Sequence, residues 1–171
     1  GNHFSVMESG KVYMGNYENE ERQILFDQEE AKKAGMGSNM SNYQISKSGN
    51  KLLIETNPRK VYRHSKMATY HLWDFASKSL KTVFEGKQVF YATLSPDEKK
   101  VAFVYNNDLY VEDLATGKAK QITTDGAKNS ILNGMTDWVY EEEFAFIRAF
   151  EWSPNSDFIA FVRFDESQVS Q

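Results

Sequence analysis

Three consecutive glutamates, Glu141 to Glu143, lie between two groups of aromatic residues in the segment TDWVYEEEFAF, which begins at Thr136. Carboxylates beside apolar neighbours cost free energy unless a positive group or hydrogen-bond donors compensate them. Two close carboxylates also raise each other's pKa unless a cation lies between them, and a protonated primary amine suits that position because it offers three donors. The residue types therefore leave two interpretations open, an amine-binding pocket and a solvated charged bend.

The geometry of such a pocket restricts the backbone. On a β-strand, successive side chains point to opposite faces, so Glu142 and Glu143 would diverge. In a turn of helix, neighbouring side chains differ in direction by roughly 100° and can approach one ligand from two sides. We therefore expect the glutamates on a short helical turn outside the surrounding strands.

Other catalytic arrangements are missing from the 171 residues. There is no Gly-x-Ser-x-Gly motif, and the histidines His3, His64 and His71 form no recognisable set with serine and aspartate. We find no calcium-binding loop and no phosphate-binding glycine loop, and the absence of cysteine excludes disulfides and thiolate metal sites. The sequence predicts no catalytic residues, no metal site and no cofactor within this chain.

Charge and hydropathy exclude two further classes of function. The net charge of −4 is spread along the chain without a basic stripe, which argues against nucleic-acid binding. No apolar run approaches the roughly 18 residues of a membrane span. The first residues show no positively charged segment followed by an apolar stretch, so we expect that a signal peptide is absent or was removed. The termini at Gly1 and Gln171 suggest a segment excised from a longer protein.

Three serines mark an internal repeat. Ser46, Ser95 and Ser153 each separate two apolar strands in the stretches YQISKSGNKLLIET, YATLSPDEKKVAFVY and AFEWSPNSDFIAFVR. A strand–turn–strand unit follows the first two copies at 69–86 and 108–126, and residues 9–26 resemble a third such pair. Four short antiparallel strands at a period of about 40 to 50 residues are typical of β-propeller blades.

The predicted fold class is therefore all-β, a partial β-propeller of four-stranded antiparallel blades with a short helical insertion carrying the glutamates. We place the rear half of a blade and a linker at 1–42, complete blades at 43–86 and 88–126, the insertion at 127–148, and the front half of the next blade at 149–171. Because propellers close with roughly four to eight blades, this chain is expected to be an arc of one.

Two motifs resemble one known family. The residues NGMTDWVYEEEF resemble the glutamate motif of the dipeptidyl peptidase IV branch of the prolyl oligopeptidase family, and YRHSKMATYHLWD resembles its Arg-His-Ser stretch. VAFVYNNDLYV and WSPNSDFIAFVRFDES are similar to blades of the same branch, and the resemblance begins near Tyr43. It implies an eight-bladed propeller beside an α/β-hydrolase domain, and the removal of Xaa-Pro or Xaa-Ala dipeptides from peptide N-termini.

The resemblance also implies roles for particular residues. Glu142 and Glu143 would bind the amino group of the substrate, and Arg63 would hold a backbone carbonyl. We expect Glu141 to face away from the ligand, as a local salt-bridge or capping residue. The serine, aspartate and histidine of the catalytic triad would lie in the C-terminal hydrolase domain, which is not part of this chain.

The expected partners are thus a peptide N-terminus and that hydrolase domain; a homodimer is a further expectation, because members often dimerise through elements outside this stretch. A bacterial envelope or periplasmic location is also expected. One alternative is a non-catalytic propeller that binds a lysine or N-terminus of a partner protein. Another is a periplasmic scaffold similar to WD-repeat propellers, which would need neither Arg63 nor the acidic turn.

Overall fold

The computed structural model of the protein describes residues 2–19 and 21–169. The two chain ends discussed above, Gly1 and Gln171, lie outside the described residues. The described part contains two short helices and fifteen strands. In chain order the elements are β1 His3–Glu8, β2 Lys11–Asn16, β3 Arg22–Asp27, α1 Gln28–Lys33, β4 Met40–Ile45, β5 Lys51–Lys60, β6 Lys66–Asp74, β7 Ser79–Val83, β8 Phe90–Leu94, β9 Lys100–Tyr105, β10 Asp108–Asp113, β11 Ala119–Gln121, β12 Ile131–Asn133, α2 Trp138–Phe144, β13 Phe150–Trp152, β14 Ile159–Phe161 and β15 Arg163–Asp165.

The strands form antiparallel sheets, and all but one of these sheets consist of consecutive strands. Two sheets have four strands each, in the orders β4-β5-β6-β7 and β11-β10-β9-β8. A three-stranded sheet β1-β2-β3 precedes them, and the two-stranded sheets β13-β14 and β12-β15 follow. Helix α2 carries the three glutamates between the second four-stranded sheet and β13. The predicted all-β partial propeller with a helical insertion is confirmed.

The repeated serines make the same hydrogen bonds in each copy. The hydroxyl oxygens of Ser46, Ser95 and Ser153 each accept from the backbone N–H five residues later, at 3.0, 3.0 and 2.9 Å. Each serine also donates its own N–H to the carbonyl of that same residue, at 2.9, 2.9 and 2.8 Å. The serine therefore closes the turn between the first two strands of each sheet, which explains its regular recurrence in the sequence.

The central strands of the two four-stranded sheets are buried on both faces, because each of these sheets packs against a neighbour on either side. In β9, Val101 and Phe103 belong to the cluster shared with the preceding sheet. Ala102 and Val104 belong to the cluster that includes β13. Alternate residues of a strand point to opposite faces, so a continuous apolar run is what a strand sandwiched between two sheets requires. This face-to-face stacking sets the approximate relative positions of the loops that leave the sheets.

The structure differs from the sequence-based expectation in two places. The first sheet has three strands rather than the single pair expected at residues 9–26, because β1 pairs with β2 along its full length, and α1 follows β3. The insertion also contains β12, which pairs with β15. Strands of three residues are too short to show a period, so the sequence pattern did not indicate this pair.

Candidate functional site

Helix α2, which carries the glutamates, is defined by residues at both of its ends. The Asp137 side chain accepts from the backbone N–H of Tyr140 at 2.8 Å and so caps the first turn. At the other end Ala145 adopts a left-handed conformation, with φ of 51°, and its N–H donates to the Glu141 carbonyl at 3.0 Å. A helix of only seven residues is thus held by a cap at each terminus.

The loop that contains α2 is closed at its base. Met135 and Arg148 form an antiparallel bridge, and the Thr136 hydroxyl donates to the carbonyl of Phe146 at 2.5 Å. Gly134 precedes the bridge with φ of 74°, and a Cβ there would lie 3.2–3.3 Å from core side chains. The insertion therefore leaves the sheets as a compact closed loop whose helix has a fixed position.

A second segment approaches α2 from the preceding four-stranded sheet. Strands β5 and β6 continue beyond that sheet as a hairpin, after a bulge at which Asn57 has φ of 50°. At its tip, residues 61–65, the Val61 N–H donates to the Ser65 carbonyl at 3.0 Å. Arg63 lies at this tip. Arg63 reaches the helix because the β5–β6 hairpin extends beyond the edge of its sheet.

The structure brings Arg63 and Glu142 together. Arg63 Nη1 lies 3.5 Å from Glu142 Oε2, and the side chains are 71% and 19% exposed. Glu143, the next residue on the helix, is exposed. Among the residues that the structure describes, no hydrogen bond or ion pair occupies its carboxylate. The site thus has a half-buried carboxylate, that of Glu142, paired with Arg63. The adjacent carboxylate of Glu143 has no positive partner among the described residues.

Glu141 does not form the local salt bridge or helix cap expected from the sequence. Its side chain is buried, and Oε1 accepts from the backbone N–H groups of both His64 and Ser65, each at 2.7 Å. The expected local salt bridge or cap is therefore wrong, because the helix is capped by Asp137 and the partners of Glu141 lie on the hairpin tip. One signal was available: three consecutive residues of a helix cannot share one face, so one of them must point toward the protein.

Tyr91 completes the surroundings of Glu141. It lies on β8 at a bulge and has φ of 57°, in the left-handed region. Burial raises the pKa of Tyr91, and the negative charge of Glu141 raises it further. The phenol therefore stays protonated beside a buried carboxylate, and the site gains no second charge there.

No histidine side chain contributes to this site in the hydrogen bonds of the described residues. His71 is buried between Thr56 and Thr82, with its ring nitrogens 3.1 and 3.0 Å from the two hydroxyl oxygens, and burial lowers its pKa. His64 enters the site only through its backbone N–H.

Within the described residues no group of three or more potential metal ligands comes together. No helix in that part of the chain is long and apolar enough to cross a bilayer.

A cleft of about 900 Å³ lies beside the helix, between the hairpin tip and the N-terminal end of α2. Tyr62 and Trp138 contribute to its walls, together with Phe90 of β8 and Met135 at the base of the α2 loop. Arg63 and the two glutamates do not line it. The cleft therefore adjoins the charged site without containing it.

Comparison with known proteins assigns the family. The family described as "Dipeptidyl peptidase IV (DPP IV) N-terminal region" matches residues 46–171. The chain belongs to this family. It is 36% identical to the crystal structure of Porphyromonas gingivalis dipeptidyl peptidase 4, with a TM-score of 0.88 over 97% of this chain and 24% of that one. The resemblance inferred from the two motifs is confirmed.

Curated relatives of the dipeptidyl peptidase IV family agree. Dipeptidyl peptidase 4 of Felis catus is 37% identical over 76% of this chain and 17% of its own length. Dipeptidyl aminopeptidase B of Saccharomyces cerevisiae is 30% identical over 100% of this chain and 21% of its own length. Prolyl endopeptidase FAP of Bos taurus is 35% identical over 77% of this chain and 18% of its own length. The chain thus spans about a fifth of the length of these relatives.

Proposed function

We propose that this chain is the segment with which a dipeptidyl peptidase IV-family serine peptidase holds the free N-terminus of its substrate. Glu142 and Glu143 bind the α-ammonium group, and Arg63 donates to a backbone carbonyl of the peptide. A C-terminal α/β-hydrolase domain then removes an Xaa-Pro or Xaa-Ala dipeptide. The observation that carries this proposal is the Arg63–Glu142 pair at 3.5 Å beside the uncompensated Glu143.

The charges of these three residues suit one ammonium group. Two carboxylates and one guanidinium carry a net charge of −1, which a single protonated amine neutralises. An ammonium group has three N–H donors, and charge-assisted hydrogen bonds to carboxylates are about twice as strong as neutral ones. Glu142 is already half-buried, so the ammonium would meet a carboxylate that is poorly solvated before binding.

The guanidinium suits the adjacent carbonyl. Arg63 approaches Glu142 through Nη1, and a guanidinium has five N–H donors, so donors remain for a second acceptor. The side chain is 71% exposed and therefore accessible to a ligand. The ammonium and the first carbonyls of a peptide lie within a few bonds of each other. A carboxylate and a guanidinium in contact reproduce that short spacing.

This arrangement favours peptide termini over internal segments. An internal segment has no ammonium group, so its binding would desolvate the two carboxylates without compensation. The relatives include proteins named as dipeptidyl peptidases and others named as prolyl endopeptidases. The preference for a free amine is therefore the property to measure in this protein.

The test compares two substrates of the full-length protein that contains this chain, Gly-Pro-nitroanilide and its N-acetylated form. Acetylation removes the charge and leaves the scissile bond unchanged. We expect kcat/KM for the acetylated substrate to fall by about 30-fold or more, corresponding to about 2 kcal/mol for hydrogen bonds to charged groups.

Equal cleavage of both substrates would contradict amine anchoring and support an endopeptidase. Binding of the dipeptide Gly-Pro without cleavage of either substrate, measured by calorimetry, would instead indicate the non-catalytic binding module. Alanine-alanine nitroanilide serves as a second substrate pair with the same single change.

A further inference from the structure

We propose that Glu141 is a positioning residue, which fixes the hairpin tip carrying Arg63 against the helix carrying Glu142 and Glu143. This inference rests on the proposed function and deepens it. Glu141 would not touch the substrate. It would set the distance between the carbonyl-binding and amine-binding groups.

The contacts of Glu141 are those of a tether between two segments. One carboxylate oxygen accepts two consecutive backbone N–H groups, of His64 and Ser65, each at 2.7 Å. The residues lie 77 and 76 positions apart in sequence, and the Glu141 residue is only 3% exposed. Hydrogen bonds to an ionised, buried acceptor are strong, so this contact resists separation of the two segments.

The exposed residues of the hairpin tip have few other restraints, whereas Ser65 at its base is buried. Residues 61–64 are exposed, and strand pairing ends at Lys60 and Lys66. Among the described residues, the hydrogen bonds that join the tip to α2 are the two accepted by Glu141. The Arg63–Glu142 pair is the other polar contact, and it is weak because Arg63 is 71% exposed. Without Glu141, the tip and Arg63 would lose their fixed position.

The helix itself does not depend on Glu141 for its place. Asp137 caps it, the Met135–Arg148 bridge closes its loop, and Tyr140 packs edge-on against Phe164 with ring centroids 5.1 Å apart. Loss of the Glu141 carboxylate should therefore move the hairpin tip and leave Glu142 and Glu143 where they are. The consequence for binding passes through Arg63.

The experiment measures kcat and KM of the full-length protein with Gly-Pro-nitroanilide for a graded series. Glu141→Ala removes the acceptor, and we expect kcat/KM to fall about 100-fold, the effect of a displacement of about 1 Å at a binding group. Glu141→Gln keeps a neutral acceptor, which makes bonds about half as strong, so we expect a fall of about tenfold.

Glu112→Gln is the matched control. Glu112 is also buried, 1% exposed, and accepts the backbone N–H of Phe84, the residue after β7, at 2.6 Å. Its other carboxylate oxygen lies 3.6 Å from Lys81 Nζ. It belongs to β10, and none of its hydrogen bonds or ion pairs with described residues involves the hairpin tip or α2. We expect Glu112→Gln to lower the melting temperature as Glu141→Gln does, with kcat/KM unchanged.

A double-mutant cycle with Arg63→Ala separates positioning from other roles. If Glu141 acts through Arg63, then Glu141→Gln should change kcat/KM less than about threefold in the Arg63→Ala background. Independent, multiplying effects of the two substitutions would overturn this inference and leave the proposed function standing. An Arg63→Ala protein with unchanged kcat/KM would instead overturn the carbonyl-binding role, and this inference with it. Because the cycle uses the glutamine variant, it does not depend on Glu141→Ala folding.

Discussion

Replacing Glu143 by glutamine removes one negative charge and leaves the size of the side chain nearly unchanged. Because Glu143 is exposed and its carboxylate has no partner among the described residues, the folded protein loses no interaction. The bound substrate would lose a charge-assisted hydrogen bond, which contributes roughly 1.5–3 kcal/mol. A loss of about 2 kcal/mol corresponds to a fall of about 30-fold in kcat/KM.

Glu142→Gln provides the comparison within the same site. It should lower kcat/KM by at least as much, and it also breaks the ion pair with Arg63. At 3.5 Å two unit charges interact by about 1 kcal/mol in water, and the exposure of Arg63 keeps the contribution near or below that value. We therefore expect Glu142→Gln to reduce the free energy of unfolding by up to about 1 kcal/mol, and Glu143→Gln by less than about 0.5 kcal/mol.

The assay combines kcat/KM for Gly-Pro-nitroanilide at pH 7 with urea denaturation of the same full-length variants. Glu85→Gln, at an exposed glutamate in the turn before β8, is the control and should change neither quantity. A Glu143→Gln protein with activity within a factor of about two of wild type would refute amine binding by this residue. A loss of stability equal to that of Glu142→Gln would show that Glu143 has a structural partner.

Four further outcomes follow from the same geometry. Because a free α-amino group loses its proton near pH 7.7 to 8.0, kcat/KM measured across pH 6 to 10 should fall as the pH rises through that range, whereas an N-acetylated substrate should show no such fall. Ala145→Gly should raise the free energy of unfolding, measured by calorimetry, by about 0.5–1 kcal/mol. Glycine removes roughly 1–2 kcal/mol of backbone strain from the left-handed conformation, and this gain exceeds the cost of the greater conformational entropy that glycine gives the unfolded chain. Gly134→Ala should lower it by about 2 kcal/mol in urea denaturation, because φ is 74° and the new methyl group crowds three core side chains; an unchanged midpoint would contradict this. The Ser95 hydroxyl donates to Asp97 and holds the pKa of that carboxyl below its ordinary value of 3.8. The ionised Asp97 therefore stabilises the fold at any pH above 3.8, and this stabilisation is lost as the pH falls through the lowered pKa. Asp97→Asn should therefore show a shallower loss of stability between pH 4 and pH 2 in urea titrations than wild type does.

The features that sequence predicted well have local causes. The repeat of Ser46, Ser95 and Ser153 reflects one turn in which the serine and the residue five positions later bond to each other, so the whole signal lies within six residues. The helical turn at the glutamates was also predictable, because strand alternation separates adjacent side chains and Asp137 supplies a cap. Local bonding patterns leave a local trace in the sequence.

The features that sequence missed depend on distant partners. Strand β12 pairs with a strand about 30 positions later, and each of the two has only three residues, so neither shows a period of its own. The partners of Glu141 lie 76 and 77 positions away and are backbone N–H groups, which any residue type supplies. The nearness of Arg63 to Glu142 came from family resemblance, since the reach of the β5–β6 hairpin beyond its sheet is not encoded in any short pattern. The blade boundaries, the homodimer and the envelope location remain predictions.

The candidate site is divided between two parts of the chain that fold around different sheets. Arg63 extends from the sheet β4-β5-β6-β7, whereas the glutamates belong to a loop that follows the sheet β11-β10-β9-β8. Their spacing therefore depends on how these two sheets pack, through the shared cluster that includes Val83, Val89 and Phe103. Sheet packing sets such a distance only coarsely, because each segment leaves its sheet by several residues. A direct hydrogen bond between the two segments sets this distance more accurately. The buried carboxylate of Glu141 makes such bonds, because Glu141 is next to the proposed amine-binding pair on the helix and accepts two N–H groups from the hairpin tip.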